Sequence, residues 1–345
     1  MVTDRICDPG MNERKHLLTE WLDSRSFPGG YSLTLASGDA SFRRYFRITA
    51  DNRTYIVMDA PPDKEDCTAY LDITERLQAC GVTVPDVIDR DIKHGFLLLS
   101  DLGTRHYLDT LTEENADKLY ALALEALAKI QHKGVTHGLP PYDDTLLTSE
   151  MQLFTDWLLG EHLNIKTGRR EQGRLLQIFN ILTENALAQP RVFVHRDYHS
   201  RNLMVMDNTD HRSTPGMLDF QDAVNGPLTY DLVSLLKDCY IKWPRDRIRR
   251  WALDYHRDHC HGETGSEEFL RQFDLMGVQR HLKASGIFAR LYHRDGKAGY
   301  LADIPRTLSY ITDLAGEYSE LGPLVKLIEQ RVTPVLKEAN AACAP

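Results

Sequence analysis

The sequence predicts an α+β protein of two lobes, a small antiparallel β lobe followed by a larger, mostly helical one. Three observations carry this. β-Prone runs separated by turn residues fill much of residues 1–100. Helical periodicity takes over in residues 101–345, and the change at Asp101-Leu102-Gly103 is abrupt. A chain of 345 residues is long enough for one large domain or for two lobes around a shared cleft.

The elements follow in order. The run RKHLLTEWLDSR (14–25) reads as a short amphipathic helix ending before Pro28-Gly29-Gly30, and Met11 could be an alternative start, so residues 1–10 receive no structural role. Strands are expected over Leu33–Ala36, Phe42–Thr49 and Thr54–Ala60, with turns at Gly38-Asp39 and Asp51-Asn52. Pro61-Pro62-Asp63 opens a helix over 63–80, and Gly81 suits its C-terminal cap. Two further strands, Val84–Arg90 and Gly95–Ser100, turn at Lys93-His94-Gly95. Beyond them, Leu119, Leu122, Ala126, Leu127 and Ile130 recur at helical spacing and place a long helix over 113–132. A second is expected over 149–163, with Ser149 and Gln152 spaced as a capping box. Strands over 191–195 and 216–220 each lead into a polar turn, and the remainder is mostly helix.

Apolar residues make up 42% and charged residues 26%, so a core can be buried. Acidic residues (50) outnumber basic ones (41), giving a formal charge of −9, which argues against a duplex nucleic-acid partner needing a basic stripe. The six cysteines are scattered without a CxxC pair, as in a reducing compartment. The first residues lack the apolar run of a signal peptide, and no stretch approaches the roughly 20 apolar residues of a membrane span. A cytoplasmic protein without membrane attachment is expected.

The segment VFVHRDYHSRNLMVMDN (192–208) carries the chemistry. A β-branched run ends in His195-Arg196-Asp197, Asn202 follows, and a later strand ends in Leu218-Asp219-Phe220. Phosphoryl transfer asks little of a protein beyond positioning and charge neutralisation. It needs a carboxylate beside the attacking hydroxyl, here Asp197, and oxygen ligands for Mg²⁺, here Asn202 and Asp219. All three fall at strand ends or in loops, where a rigid scaffold can present them.

HxDxxxxN followed by a strand-borne Asp-Phe resembles the protein-kinase-like fold, and more closely its aminoglycoside phosphotransferase branch. His199, GPLTYDLVSLL (226–236) and LLLSDLG (97–103) share in the likeness. The resemblance implies that Asp197 is the catalytic base and that Asn202 and Asp219 bind metal. It implies that Asp231 braces the catalytic loop, and that Leu99, Ser100, Asp101 and Leu102 meet the adenine of ATP through backbone groups. His195 is read as a structural tie for the loop, and His199 and Arg201 as residues that orient it or touch phosphate.

Two features depart from that pattern. The family's phosphate-binding lysine falls at Met58, and its glutamate partner near Tyr70, so both members of an ion pair are missing together. The arginine-rich stretch Gly38–Arg47, including Ser41, lies where a phosphate-covering loop belongs. Alternation puts Arg44, Phe46 and Ile48 on one face, read here as the cleft face, and makes Arg44 the substitute cation with Arg43 second. A solvated arginine edge is the alternative.

The strings SFRRYFR, MDAPP and GFLLLSDLG, with the catalytic segment, are similar to the bacterial kinases of N-acetylmuramate and N-acetylglucosamine, over residues 15–310. That likeness implies ATP- and Mg²⁺-dependent phosphorylation of a sugar C1 hydroxyl in peptidoglycan recycling. Glu150, Trp157, Asp222, Tyr240 and Trp243 are candidates for the sugar pocket, and Arg290 or Arg294 for the lactyl carboxylate of muramate. An aminoglycoside-modifying kinase is the alternative, and a nucleotide-binding protein without activity is a reading of another class. His256 and Cys260 are spaced as on one helical face, but without a second ligand pair they read as a polar helix end rather than zinc ligands.

Overall fold

The structure, a computed structural model, describes residues 9–343 apart from 26, 28, 39–41, 51, 207–213, 261 and 263. The chain divides into two compact units, Met1–Glu75 with Val84–Gly103, and Arg76–Thr83 with Thr104–Pro345.

The smaller unit holds helix α1 (Pro9–Asp23) and strands β1 (Ser32–Gly38), β2 (Arg44–Ala50), β3 (Arg53–Asp59), β4 (Val87–Asp91) and β5 (Phe96–Ser100). Helix α2 (Cys67–Ala79) follows β3 in the chain. The strands form one antiparallel sheet in the order β1-β2-β3-β5-β4. β2 and β3 are joined by a tight turn in which Asn52 takes φ +60°, a region that asparagine tolerates better than most residues. Before β5, Gly95 is required twice over. Its φ is +75°, and a Cβ there would sit 1.8 Å from the Ala60 carbonyl oxygen.

Leu18, Trp21 and Leu22 share one face of α1 and bury against Ile48 and Ala50 of β2, Val57 of β3, and Phe96 and Leu98 of β5. That face of the sheet is therefore covered by α1. Alternation and the strand register put Tyr45, Arg47, Ile56, Met58, Leu97 and Leu99 on the opposite face. The expectation gave the cleft side to Arg44, Phe46 and Ile48, and that is the face α1 covers. At the end of β3, Asp59 is wholly buried and accepts hydrogen bonds from two guanidiniums, Arg14 of α1 and Arg44 of β2. Arg14 also donates to the His94 carbonyl at 2.8 Å.

The larger unit is mainly helical: α3 (Tyr107–Thr110), α4 (Ala116–Lys133), α5 (Asp144–Leu153), α6 (Arg169–Leu187), α7 (Tyr230–Leu236), α8 (Arg245–His259), α9 (Ser266–Asp295), α10 (Ile304–Thr312), α11 (Gly322–Leu327) and α12 (Thr333–Ala342). Two small ladders interrupt the helices, β6 (Arg191–Val194) with β9 (Val224–Pro227), and β7 (Leu203–Met204) with β8 (Gly216–Met217). The core gathers around α9, where Leu275, Val278 and Leu282 meet Phe154, Leu182, Ile304 and Ile311.

The expected capping box at Ser149 and Gln152 is replaced by a start one and a half turns earlier. Asp143 caps α5 by accepting from the Leu146 N–H at 2.9 Å, while the Ser149 hydroxyl donates to the Leu146 carbonyl inside the helix. From Phe154 to His162 the helix widens to π geometry. At that junction Gly286 of α9 lies so close that a Cβ would stand 2.3 Å from the Leu153 carbonyl carbon. Among the described residues no helix is long and apolar enough to cross a membrane.

Candidate active site

Strand β6 delivers the chain into the loop His195–Asn202, and the first turn of α7 anchors it. The buried carboxylate of Asp231 accepts the backbone N–H of His195 at 2.6 Å and of Arg196 at 3.0 Å. Burial pushes the Asp231 carboxyl up to about 7 despite these two donors. Arg196 takes φ +75°, a conformation that costs a non-glycine residue of order 1 to 3 kcal/mol and has to be held from outside. It is held by its side chain, which donates to Glu150 at 2.5 Å. The consequence is local: the forced turn at Arg196 sets the direction of Asp197.

Glu150 of α5 is a hub. Besides Arg196 it receives Lys283 of α9 at 2.9 Å and the hydroxyl of Tyr142. Burial alone would raise its carboxyl, but Lys283 and Arg196 bring it below the ordinary range. The same cations reach Asp197. Burial pushes that carboxyl up, and the neighbouring positive charges, Lys283 first, bring it below the ordinary range, so Asp197 stays ionised. Burial holds His195 down at about 4 and lowers His199 as well, so at neutral pH the lasting positive charges are those of Lys283 and Arg196. The neutral His195 ring accepts the Asp197 N–H at its Nδ1 (3.3 Å) and packs edge-on against Tyr198 and Phe220.

Asn202 closes the loop. Its amide nitrogen donates to the Asp197 carbonyl at 3.0 Å, which leaves the amide oxygen to face elsewhere. Its own carbonyl accepts the Leu218 N–H at 2.9 Å, which brings the residue before Asp219 alongside it. Asp219 sits at φ +60° and accepts from Gln221 at 2.9 Å. An amide oxygen and a carboxylate are hard donors suited to Mg²⁺ bound chiefly through phosphates. Among the described residues no three His, Cys, Asp or Glu side chains gather as a cage for a metal. A cation at this position would depend on Asn202, Asp219 and oxygens brought by a ligand.

The family model described as "Phosphotransferase enzyme family" matches residues 32–273. The chain belongs to this family. Among its curated relatives, the N-acetylmuramate/N-acetylglucosamine kinase of Pseudomonas putida is 44% identical, with 93% of this chain and 98% of the relative covered. The protein of the same name from Neisseria meningitidis is 40% identical over 93% and 96%. Solved structures share the fold: an ethanolamine kinase of Plasmodium vivax has a TM-score of 0.63 at 9% identity, covering 90% of this chain and 96% of that one. An ADP-bound aminoglycoside phosphotransferase has 0.57 at 16%, covering 86% and 97%. The protein-kinase-like fold expected from the motifs is thereby established.

For this phosphotransferase the larger unit brings Asp197, Asn202, His195 and Asp231 together, with Asp219 joined through Leu218. Tyr240 lies next to this loop, its ring 5.3 Å from that of His199. The other candidates for the sugar pocket are placed as follows. Trp243 is buried against Tyr120 and Trp251 and gives its N–H to the Tyr120 hydroxyl at 2.9 Å. Trp157 packs on the helical core, and Glu150 is committed to its ion-pair hub. Asp222 is exposed in the turn after Asp219. Arg294 pairs with Asp295 at 2.8 Å, and the half-buried Arg290 is lowered first by burial and then by Arg294. His256 is engaged with the Thr264 carbonyl at 2.9 Å and stacks on Phe269.

In the smaller unit, Ile48 is enclosed in the core beneath α1, which removes it from any ligand surface, and Arg44 is turned to Asp59 on that same side. Arg43 is nearly buried and pairs with Glu65 at 2.8 Å. Gly38 ends β1 opposite Arg44, and Ser41 lies outside the described residues. Of the stretch 99–102, Leu99 is buried, Ser100 accepts the Asp86 N–H through its hydroxyl, and Asp101 is gripped by both arms of Arg47 at 2.7 and 3.1 Å. Leu102 is half-buried. The residue missed altogether is Lys283, which comes from a distant helix and carries no local motif.

Proposed function

We propose that the protein uses Mg²⁺ and ATP to phosphorylate the anomeric C1 hydroxyl of N-acetylmuramate and N-acetylglucosamine in the cytoplasm, within peptidoglycan recycling. The observation that carries this reading is the ionised Asp197, held beside Asn202 in a loop fixed by Asp231, in a chain 44% identical to a kinase named for those two sugars. An anomeric hydroxyl is more acidic than an ordinary alcohol, so a single carboxylate base suffices to take its proton. Asp197 would accept that proton as the oxygen attacks the γ-phosphorus. Asn202 and Asp219 would hold Mg²⁺, which neutralises phosphate charge when bound. Backbone groups of Leu99–Leu102 would receive the adenine.

A coupled ADP-release assay against N-acetylmuramate, N-acetylglucosamine, glucose, kanamycin and choline tests the reading, with phosphorus NMR of the product. Turnover of the two N-acetylated sugars to an acid-labile C1 phosphate is expected. Turnover of kanamycin alone would move the protein to an antibiotic-modifying role, and no turnover of any would overturn the assignment.

A further inference from the structure

Arg201 stands four residues after Asp197 in the same loop, and it is exposed. Its backbone is fixed, since its carbonyl is bonded to the His106 ring at 2.8 Å. Its guanidinium carbon lies 4.5 Å from the centre of the Tyr240 ring and 5.5 Å from that of Tyr300. Those rings are braced in turn: Tyr240 meets His199 edge-on at 5.3 Å, and Phe288 packs at 6.1 Å from Tyr240 and 5.7 Å from Tyr300. The result is a cation mounted on an aromatic wall that begins at the catalytic loop.

The surrounding cations are committed. Arg196 and Lys283 serve Glu150, Lys237 serves Asp274 at 2.6 Å, and Arg306 serves Asp303 at 2.6 Å. Arg280 is buried against the Cys239 sulfur. Among the described residues Arg201 has no carboxylate within ion-pair distance, although Asp303 is near enough to be felt. An arginine held by two rings and by a hydrogen bond to the Tyr240 hydroxyl, rather than by an acid, keeps the rest of its planar fork available for a carboxylate.

We propose that Arg201 receives the lactyl carboxylate of N-acetylmuramate and is the residue that favours this acidic sugar over the neutral N-acetylglucosamine. The inference rests on the sugar-kinase reading above and goes beyond it by naming the specificity residue. Tyr240 and Tyr300 would present their ring faces to the sugar or its lactyl ether while fixing the guanidinium. This replaces Arg290 and Arg294 as candidates for the acidic group.

The test compares kcat/KM for N-acetylmuramate, its methyl ester and N-acetylglucosamine in the full-length wild type, Arg201→Gln, Arg201→Lys and Tyr300→Leu, with thermal unfolding as a folding control. A charge-assisted contact of this kind predicts that the acid-to-neutral ratio falls roughly 10- to 100-fold in Arg201→Gln. Arg201→Lys should recover part of it, and Tyr300→Leu should lose a smaller part. In the wild type the acid should outperform its methyl ester, and that gap should close in Arg201→Gln. Equal losses for both sugars, or a wild type indifferent to esterification, would overturn the role of Arg201 and leave the sugar-kinase reading intact. A wild type that turns over neither sugar would overturn that reading itself.

Discussion

The guanidinium of Arg196 donates to Glu150 at 2.5 Å while its own backbone turns through φ +75°. The ion pair and the forced turn belong together, because the side chain of one residue holds the main chain that aims the next. Glu150→Ala would leave Arg196 and Lys283 buried without their common acid. Removing one member of a buried pair costs about 3 to 5 kcal/mol, and urea unfolding should register it. Turnover should fall with it, since Asp197 loses its fixed direction. A variant with the wild-type midpoint would show that the hub carries no stability.

Asp197→Asn keeps the size of the side chain and removes the proposed proton acceptor. Turnover of sugar should drop by about 100- to 10,000-fold. Titration calorimetry with Mg-ATP should give an affinity close to that of the wild type, since the proposed metal ligands Asn202 and Asp219 are untouched. Residual turnover near the wild-type rate would remove Asp197 from the role of base.

Lys283→Met tests the electrostatic link between α9 and Asp197, the proposed base. Asp197 is held low by Lys283 ahead of its other neighbours, against the opposing effect of burial. Losing that charge disfavours the carboxylate, so its pKa rises and the acid limb of kcat/KM moves to higher pH. The limb of the wild type, measured from pH 5 to 9 alongside, is the reference. An unshifted limb would mean that the lysine serves Glu150 alone.

Two glycine substitutions should act in opposite directions. Gly286→Ala would drive a methyl group to 2.3 Å from the Leu153 carbonyl carbon and should lower the unfolding temperature, at a cost of about 1 to 3 kcal/mol or more. Gly173→Ala, on the exposed side of α6 with nothing within 4 Å, should raise stability by roughly 1 kcal/mol. Differential scanning fluorimetry on the pair settles both signs at once.

Acid should weaken the fold through its buried histidines. His195, His199 and His281 are buried, and burial lowers all three in the folded chain, His195 to about 4, from an ordinary value of 6.5. Below pH 6.5 the unfolded chain takes up these protons and the folded chain does not, so stability falls as pH drops toward the lowered values. Asp231, raised to about 7, opposes this by one proton and leaves a net loss. The urea midpoint should be lower at pH 5 than at pH 7.5, and equal midpoints would contradict the account.

The parts of this molecule that could be read without coordinates are those whose meaning is local. Asp197, Asn202 and Asp219 announce themselves because their spacing lies within one loop and one strand end, and the strand pattern shows because turn residues punctuate it. Alternation could separate Ile48 from Tyr45 but could not say which face of the sheet a helix covers. Leu18, Trp21 and Leu22 decide that, and they are distant in sequence. Lys283 comes from α9, and the Tyr240–Tyr300 wall joins residues far apart in the chain, so no short window contains them. Ser149 misled because a plausible cap within a helix competes with Asp143, and only the hydrogen bonds of the first turn separate the two.

Asp59 carries a practical lesson for anyone handling this protein. Two arginines meet on its buried carboxylate, and one of them, Arg14, arrives from α1. A recombinant version trimmed to begin at Gly29 would strip Leu18, Trp21 and Leu22 from the sheet as well as Arg14. It would present a greasy sheet face with a half-satisfied acid at its edge, and inclusion bodies are the outcome to anticipate. A purification tag is safer ahead of α1 than in place of it, because this helix is a structural clasp and no dispensable leader.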